Sequence, residues 1–234
     1  HPAAAAKQAA SLDHLSEGRF IFGVGVGGEF PREWELVGVP TSERGVRLTE
    51  GIEVMKKLWT GEPAAHDGKF YPFSEVHMQP GAFQPGGPPI WCGGRSEAAL
   101  KRTGRLADGY LSYVITPDMF RDALSKIDEA AEEAGRKIDN FGSGHLLFCC
   151  IDESYEKAWD RATKLLSERY AMDFRRAAER YCAMGTPEDV AAKIKEFHDA
   201  GVRHVVFDFL GLQPERIEAL ELFADEVKPY LKDI

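Results

Sequence analysis

The sequence predicts an α/β fold with a parallel sheet, because strand-like and helix-like segments alternate along its 234 residues. Two of about five predicted strands, 19–28 and 88–94, end in glycines, and two helices begin with a Thr-Pro pair, at Thr116 and Thr186. Two architectures fit this alternation. One is an open five-stranded sheet, and the other is a TIM (β/α)8 barrel of which about five of the eight β-α units are present.

The run from Arg19 to Gly28 is apolar and β-prone, and its glycines match the spacing of the G-x-G-x-x-G dinucleotide motif. The context does not fit a Rossmann unit. An alanine-rich helix comes before this strand, and Glu-Phe-Pro follows the third glycine, where a helix should begin. We therefore expect a barrel strand whose carboxyl end faces a cofactor, with a merely glycine-softened strand as the alternative.

The first helix is predicted over 2–15, with proline in its first turn and Leu12 and Leu15 on one face. A helix-first start at His1 favours the barrel, since about three β-α units would then lie upstream. After the glycine strand, an amphipathic crossover helix is predicted over 41–59. Its apolar residues recur at helical spacing and are Val46, Leu48, Ile52, Met55 and Leu58.

Residues 60–87 are rich in glycine, proline and aromatic residues and are predicted to form an insertion loop. A loop of this length is typical of a lid or a binding loop unless it contains a small hairpin. His66 and His77 lie within it, but no third ligand stands at a fixed spacing from them. We interpret them as loop histidines and predict no metal site.

The rest of the chain continues the alternation of strands and helices. The predicted elements are strand 88–94, helix 96–106, strand 110–115, helix 117–134, strand 145–151, helices 153–170, 174–182 and 187–200, strand 202–210 and helix 214–231. His145 opens a nearly continuous apolar run. Its side chain either faces a barrel mouth or is a hydrogen-bonded core histidine.

The composition excludes several classes of protein. A net charge of -9 and a pI near 5.3 argue against a nucleic-acid or anionic-membrane surface. The four cysteines lack C-x-x-C spacing, so neither a disulfide framework nor a zinc site is indicated. No apolar run approaches the roughly 18 residues of a membrane span, and no signal peptide is visible, so we expect a cytoplasmic protein.

The strongest candidate site is the run Gly93, Gly94, Arg95 and Ser96. Backbone N–H groups at a helix start, an N-cap hydroxyl and a guanidinium together suit an anion, best a phosphate. The alternative is that Ser96 only caps its helix and the glycines only make the turn. Glu29, just beyond the glycine strand, is a weaker candidate for an active-site carboxylate or else a solvated loop acid.

Several short motifs between residue 1 and about residue 120 together resemble the central signature of the bacterial luciferase-like monooxygenase superfamily. They are, in order, His1-Pro2, Ala6 to Asp13, Leu15 to Arg19, Gly23 to Gly27, Glu43-Arg44, Leu58-Trp59, Asp67 to Tyr71, Pro88 to Gly94 and Ala107 to Gly109.

The resemblance implies a single luciferase-like TIM-barrel domain over 1–234 that uses FMN or the deazaflavin coenzyme F420 and forms a homodimer. It implies that Gly93 to Ser96 hold the cofactor phosphate, that Gly25 and Gly27 lie beneath the ring, and that the insertion 60–87 lies near the substrate. Many members of the family have an aromatic residue directly after the glycine strand. This chain has Gly28-Glu29 there, a pattern that resembles the F420 branch.

The leading functional prediction is an oxidoreductase that transfers a hydride between F420 and a small organic substrate. Two alternatives stay open. One is an FMN-dependent luciferase-like monooxygenase, and the other is a non-catalytic barrel remnant that acts as a binding or assembly protein. The substrate itself cannot be predicted from these residues.

Overall fold

The structure, a computed structural model, describes residues 1–28 and 30–234 and divides into two compact units. Unit 1 comprises His1–Leu111 and Lys126–Gly142, and unit 2 comprises Ser112–Ser125 and Ser143–Ile234. Each unit contains parallel strands and packed helices, so the predicted α/β class is confirmed.

Unit 1 contains its predicted elements in the predicted order and also a short helix over Pro31–Leu36 that was not predicted. Its elements are helix α1 (Pro2–Leu15), strand β1 (Phe22–Val24), helix α2 (Pro31–Leu36), a 3-10 turn (Thr41–Glu43), helix α3 (Arg44–Trp59), strands β2 (Ala64–His66), β3 (Phe73–Val76) and β4 (Ile90–Gly93), helix α4 (Glu97–Leu106) and strand β5 (Gly109–Tyr113). Helix α5 (Pro117–Glu133) begins in unit 2 and belongs to unit 1 from Lys126 onward.

Strands β1, β4 and β5 pair in parallel in that order. Val24 lies opposite Cys92, and Gly93 lies opposite Leu111. Because parallel strands point the same way, the glycine-rich ends of β1 and β4 meet at one edge of this sheet.

The core of unit 1 lies between its sheet, α1 and α3. Three alanines of α1, Ala6, Ala9 and Ala10, face this core and are buried, and their small side chains let α3 approach closely. The indole of Trp59, at the end of α3, donates to the carbonyl of Ala6 at 2.9 Å. This hydrogen bond satisfies a buried donor and ties the two helices together.

The segment 60–87 contains the small hairpin that the sequence left open, since β2 and β3 pair antiparallel. Its far end is held by the buried carboxylate of Asp13 on α1. That carboxylate accepts from the backbone N–H of Gln84 at 2.8 Å and from its side-chain amide at 2.7 Å. The insertion is therefore fastened to the helices of unit 1 at this end.

Unit 2 contains the remaining elements. They are strand β6 (Gly142–Ile151), helices α6 (Tyr155–Tyr170) and α7 (Arg175–Tyr181), strand β7 (Cys182–Gly185), helix α8 (Pro187–Asp199), strand β8 (His204–Phe209) and helix α9 (Gln213–Leu222), followed by a π turn (Phe223–Val227) and a 3-10 turn (Lys228–Leu231).

Strand β6 organises unit 2. It pairs in parallel with β8 from Gly144 to Cys149 and with β7 from Phe148 to Ile151. It is buried on both faces, as its apolar run predicts. Strand β7 was not predicted, and its first residue was assigned to the end of a helix. Four residues are too few to show an alternating pattern, so the pairing with β6 decides the structure there.

The two Thr-Pro helix starts are confirmed. The hydroxyl of Thr116 accepts from the N–H of Met119 at 3.3 Å, and that of Thr186 accepts from the N–H of Asp189 at 3.3 Å. In the second case the Asp189 carboxylate also accepts from the N–H of Thr186, which completes a capping box.

His145 is a core residue and does not line a mouth. Its ring stacks on Phe197 at a centroid distance of 4.2 Å, lies edge-on to Phe120 and has Nδ1 2.6 Å from the Ser112 hydroxyl. Burial lowers the pKa of His145 to about 4, so its ring is neutral near pH 7. Of the two interpretations of this histidine, the core one is confirmed.

All four cysteines are buried and none forms a disulfide. Burial raises the pKa of Cys92 to about 11 and that of Cys182 to about 12. The pKa of Cys149 is raised further, for the same reason. These thiols therefore pack as small apolar side chains.

Gly104 sets the distance between α4 and α5. A Cβ placed on it would lie 2.3 Å from the carbonyl oxygen of Ile127, a backbone atom that cannot rotate away. We expect Gly104→Ala to lower the free energy of unfolding by at least about 1 kcal/mol, although alanine is favoured over glycine by about 1 kcal/mol within a helix.

Urea denaturation measures this change, with Gly23→Ala as the control because a Cβ at Gly23 meets nothing within 4 Å. Equal stability of the Gly104→Ala variant and the native chain would contradict the close approach of the two helices.

Candidate functional site

The turn from β4 into α4 has the geometry of an anion cradle. Gly94 has φ +113°, and a Cβ on it would lie 2.8 Å from the Cβ of Ala99, so only glycine fits without strain. Ser96 is the N-cap of α4, and its hydroxyl oxygen accepts from the N–H of Ala99 at 3.3 Å. Ser96 therefore does cap its helix, as the alternative interpretation proposed. Because its hydroxyl oxygen acts as an acceptor in the cap, the hydroxyl hydrogen can still be donated to a ligand.

The cradle is open to solvent. Gly94, Arg95 and Ser96 are exposed, and the first N–H groups of a helix have no partners within that helix. Glu97 follows in the first turn, but its carboxylate pairs with Lys101 at 2.7 Å, and the hydrogen bond from Lys101 lowers the pKa of Glu97. The negative charge nearest the helix start is thus offset by a neighbouring ammonium group.

The end of β1 exposes bare backbone beside this cradle. A Cβ on Gly25 would meet nothing within 4 Å, so the glycine leaves open space there. Gly27 is required for a different reason. It has φ +85°, and a Cβ on it would lie 2.7 Å from Cζ2 of Trp34. Gly25 can therefore admit a flat ligand, whereas Gly27 shapes the loop.

That loop is held by two donors to one carbonyl. The indole of Trp34 donates to the carbonyl oxygen of Gly28 at 3.0 Å, and the guanidinium of Arg44 donates to it at 3.2 Å. Neither side chain was singled out in the sequence. The Glu43-Arg44 motif was the signal that could have indicated the second.

A pocket of about 400 Å³ lies between α1, β1 and α3. Its walls are mostly apolar, with two arginines among them, and Gly25 contributes bare backbone. The lining residues that bear on the argument are Val24, Gly25, Trp34, Arg44, Arg47 and Tyr71. A largely apolar cavity with a few polar groups is the usual form of a small-molecule site.

The insertion borders this pocket because Glu50 on α3 fixes it there. The Glu50 carboxylate accepts from the N–H of Phe70 at 2.9 Å and from that of Tyr71 at 2.6 Å, and it lies 3.5 Å from Nε2 of His66. Arg47 adds a contact, with its guanidinium carbon 4.4 Å from the ring centre of Phe70. Tyr71, which lines the pocket, is thereby held in place.

The two histidines of the insertion have structural partners. His66 is buried beside Glu50 and has Nδ1 3.2 Å from the ammonium of Lys57, and His77 lies 2.7 Å from the amide of Gln79. Across residues 1–28 and 30–234, no group of three or more histidine, cysteine, aspartate or glutamate side chains is arranged to hold a metal ion.

A second polar group lies at strand ends in unit 2, and sequence reasoning missed it. We call it the strand-end cluster, and it consists of Tyr113, Arg169, Tyr170, Asp208 and Arg216. The phenol oxygens of Tyr113 and Tyr170 are 2.5 Å apart, and Arg169 donates to Asp208 at 2.6 Å. These residues come from four different elements, so no local motif could have revealed them.

Glu29, the candidate carboxylate, lies outside the described residues. The other predicted site residues fall at two adjacent strand ends of unit 1, with Gly25 and Gly27 after β1 and Gly93 to Ser96 after β4. The predicted site residues of unit 1 thus lie together at one edge of its sheet, and their role as a cofactor site stays a prediction. The sequence did not indicate the pocket beside them, which depends on packing between α1 and α3.

The chain is similar in sequence to a known family and to characterised relatives. The profile of the luciferase-like monooxygenase family matches residues 1–204. The F420-dependent glucose-6-phosphate dehydrogenase of Nakamurella multipartita is 28% identical over 257 residues, which span 99% of this chain and 74% of that protein.

Two solved structures are similar over 99% of the chain. The coenzyme F420-dependent tetrahydromethanopterin reductase from Methanopyrus kandleri has a TM-score of 0.78 with 25% identity and is covered to 80%. The monooxygenase RslO1 from Streptomyces bottropensis has a TM-score of 0.81 with 26% identity and is covered to 74%. They confirm the predicted fold class, a luciferase-like α/β barrel of which this chain holds part, over the open five-stranded sheet.

One further property concerns membranes. Within the part of the chain that the structure describes, no helix combines the length and the apolar character needed to cross a bilayer.

The attachment of the insertion depends on the charge of Glu50. Burial alone would raise the pKa of Glu50, but the N–H groups of Phe70 and Tyr71 and the nearby His66 hold it below its ordinary value of 4.5. A lowered carboxyl pKa stabilises the folded state above 4.5, and this stabilisation is lost as the pH falls through the folded-state pKa. We expect Glu50→Gln to cost about 1–3 kcal/mol of unfolding free energy at pH 7 and less in acid.

Urea denaturation at pH 7 and at successively lower pH checks this, with Glu53→Gln on the same helix as the matched control. A Glu50→Gln cost that stays constant from pH 7 into the acid range would show that the carboxylate charge does not fasten the hairpin.

Proposed function

We propose coenzyme F420 as the redox partner of this chain, which belongs to the luciferase-like monooxygenase family and is an oxidoreductase. In this proposal a hydride passes between F420 and a small organic substrate. Relatives that match nearly the whole chain are named as F420-dependent, which supports this cofactor over FMN.

The observation that carries the proposal is the pairing of β1 with β4, which sets two open glycine ends side by side. Gly25 leaves space above its backbone, and the turn at Gly94 presents the start of α4 to solvent. A flat ring linked to a phosphate needs both features, a bare wall and an anion cradle. The residues present therefore fit the cofactor.

Within this arrangement each group has a defined task. The amides at the start of α4 and the Ser96 hydroxyl would donate to the phosphate, and the positive end of the helix dipole favours its charge. Arg95 adds a guanidinium, and Gly25 lets the ring lie against the strand. The bound cofactor supplies the centre that accepts or gives up the hydride.

The identity of the substrate is not part of this proposal. Two relatives named as F420-dependent are named for different substrates, a sugar phosphate in one case and a pterin in the other. What they share is the cofactor, so the cofactor is the property that we carry to this chain.

The first test is a titration of the purified chain with F420 and, separately, with FMN, followed by absorbance and fluorescence. We expect saturable uptake of F420 in preference to FMN. Tight uptake of FMN with none of F420 would instead support the FMN-dependent monooxygenase. Uptake of neither would support a non-catalytic binding protein.

The second test concerns the cradle. A hydrogen bond from a guanidinium to a charged partner contributes about 1.5–3 kcal/mol, so Arg95→Ala should weaken F420 binding by roughly 10- to 150-fold. Gly94→Val should weaken it more, because it forces a side chain into φ +113° and against Ala99.

Fluorescence quenching measures both affinities, and circular dichroism confirms that each variant is folded. Arg105→Ala is the matched control, since Arg105 is an exposed arginine in the last turn of the same helix. If folded Arg95→Ala and Gly94→Val variants bind F420 as tightly as the native chain, this cradle is not the phosphate site.

A further inference from the structure

The strand-end cluster of unit 2 has a charge arrangement that bears on what can bind there. Tyr113 is the last residue of β5, and Asp208 is the next-to-last residue of β8. Arg169 and Tyr170 end α6, and Arg216 lies in the first turn of α9. Ligands of parallel α/β folds bind at the carboxyl ends of strands, so this cluster stands where a ligand is expected.

The side chain of Asp208 lies on the face of β8 opposite Phe223 and points towards the cluster. Its neighbours on β8, Phe207 and Phe209, both pack on Phe223 just beyond α9, and side chains alternate along a strand. Asp208 is paired in register with Phe148 of β6, which places the two side chains next to each other on the same face.

Phe148 belongs to an aromatic group on that face. Its ring lies edge-on to those of Tyr113 and Tyr170 at centroid distances of 5.8 Å and 6.3 Å, and Tyr170 stacks on Phe174 at 5.2 Å. Phe148 and Phe174 are buried, so the exposed aromatic surface beside Asp208 belongs to Tyr113 and Tyr170. Next to their phenol groups lies the charged trio of Arg169, Asp208 and Arg216.

Asp208 engages both arginines at once. Its Oδ2 accepts from Nη1 of Arg169 at 2.6 Å, and its Oδ1 lies 3.6 Å from Nη2 of Arg216. Arg216 also donates through Nε to the carbonyl of Gly211 at 3.0 Å. Burial lowers the pKa of Arg169, but the hydrogen bond and charge of Asp208 together with Tyr170 outweigh burial, so the pKa is raised overall. Both guanidinium groups thus already have an anionic acceptor.

We infer that Asp208 is a specificity-determining residue that makes this face select an uncharged ligand group and disfavour phosphates and carboxylates. If the proposed oxidoreductase function holds, on which this assignment of the ligand rests, the substrate is uncharged where it meets the cluster. Its body packs against the exposed rings of Tyr113 and Tyr170, and a hydroxyl or carbonyl group bonds to the phenol pair.

The alternative to this inference is that Asp208 orients the two arginines so that they bind an anionic ligand. The trio keeps one net positive charge, so an anion is attracted from a distance. At close range, however, an anion that reaches either guanidinium must also approach the carboxylate between them, and its repulsion offsets much of the attraction. Replacing the carboxylate with a neutral amide removes that repulsion without changing the shape of the side chain.

The test is isothermal titration calorimetry of the cofactor-free chain with inorganic phosphate at low ionic strength. We expect Asp208→Asn to bind phosphate at least about tenfold more tightly than the native chain. The matched control is Asp199→Asn, which changes the net charge equally at an exposed position on α8. This control should bind phosphate as the native chain does.

The cradle at Gly93 to Ser96 can also bind phosphate, so a double variant is needed to show that the tighter binding in Asp208→Asn arises at the strand-end cluster. Adding Arg169→Gln to Asp208→Asn should abolish the gain. Arg216→Gln alone, with Asp208 intact, should leave phosphate binding unchanged, and this variant keeps the test decisive if Asp208→Asn does not fold. Weaker phosphate binding in Asp208→Asn or in Arg216→Gln would overturn the inference, as would an equal affinity in folded Asp208→Asn.

Failure here is separable from failure of the proposed function. The phosphate measurement needs no cofactor and no turnover, whereas the cofactor assignment is decided by the F420 titration. A chain that binds F420 but shows no gain in Asp208→Asn would retain the proposed function and lose only the assignment of an uncharged substrate group.

Discussion

The parallel pairing of β1 with β4 is the constraint on which the site of unit 1 depends. The register that sets Val24 opposite Cys92 fixes where each strand ends, and therefore brings two glycine turns from distant parts of the sequence to one edge. A shift of one residue would turn every side chain of β1 to the other face, with Phe22 and Val24 leaving the core and Gly25 leaving the open edge. Core packing and site geometry are thus set by the same hydrogen bonds.

The glycines at these strand ends look alike in the sequence but act differently. Gly94 and Gly27 are needed because of positive φ angles and close neighbours, so they are fixed by the fold. Gly25 has an ordinary φ and empty space where a side chain would be, so the fold alone does not demand it. In the proposed function, the open space at Gly25 is what lets the cofactor ring approach the backbone.

Much of this fold was predictable because its signals are local. Helix periodicity and the caps at Ser96, Thr116 and Thr186 are written in a few adjacent residues, and each is confirmed. What could not be predicted depends on distant partners. Strand β7 exists through its pairing with β6, and the role of Asp208 depends on arginines contributed by α6 and α9. Strand β7 and the surroundings of Asp208 both depend on contacts between residues far apart in the sequence, which a single sequence does not reveal.

The burial of all four cysteines protects their thiols from oxidation and alkylation in the folded protein. Oxidants and alkylating reagents attack the thiolate, and thiols with strongly raised pKa values hold almost none of it at neutral pH. An enzyme that handles reducing equivalents can thus work beside reactive small molecules without damage to its cysteine thiols. Because each cysteine becomes reactive only when the unit around it unfolds, the rate of thiol labelling reports how often that unit opens.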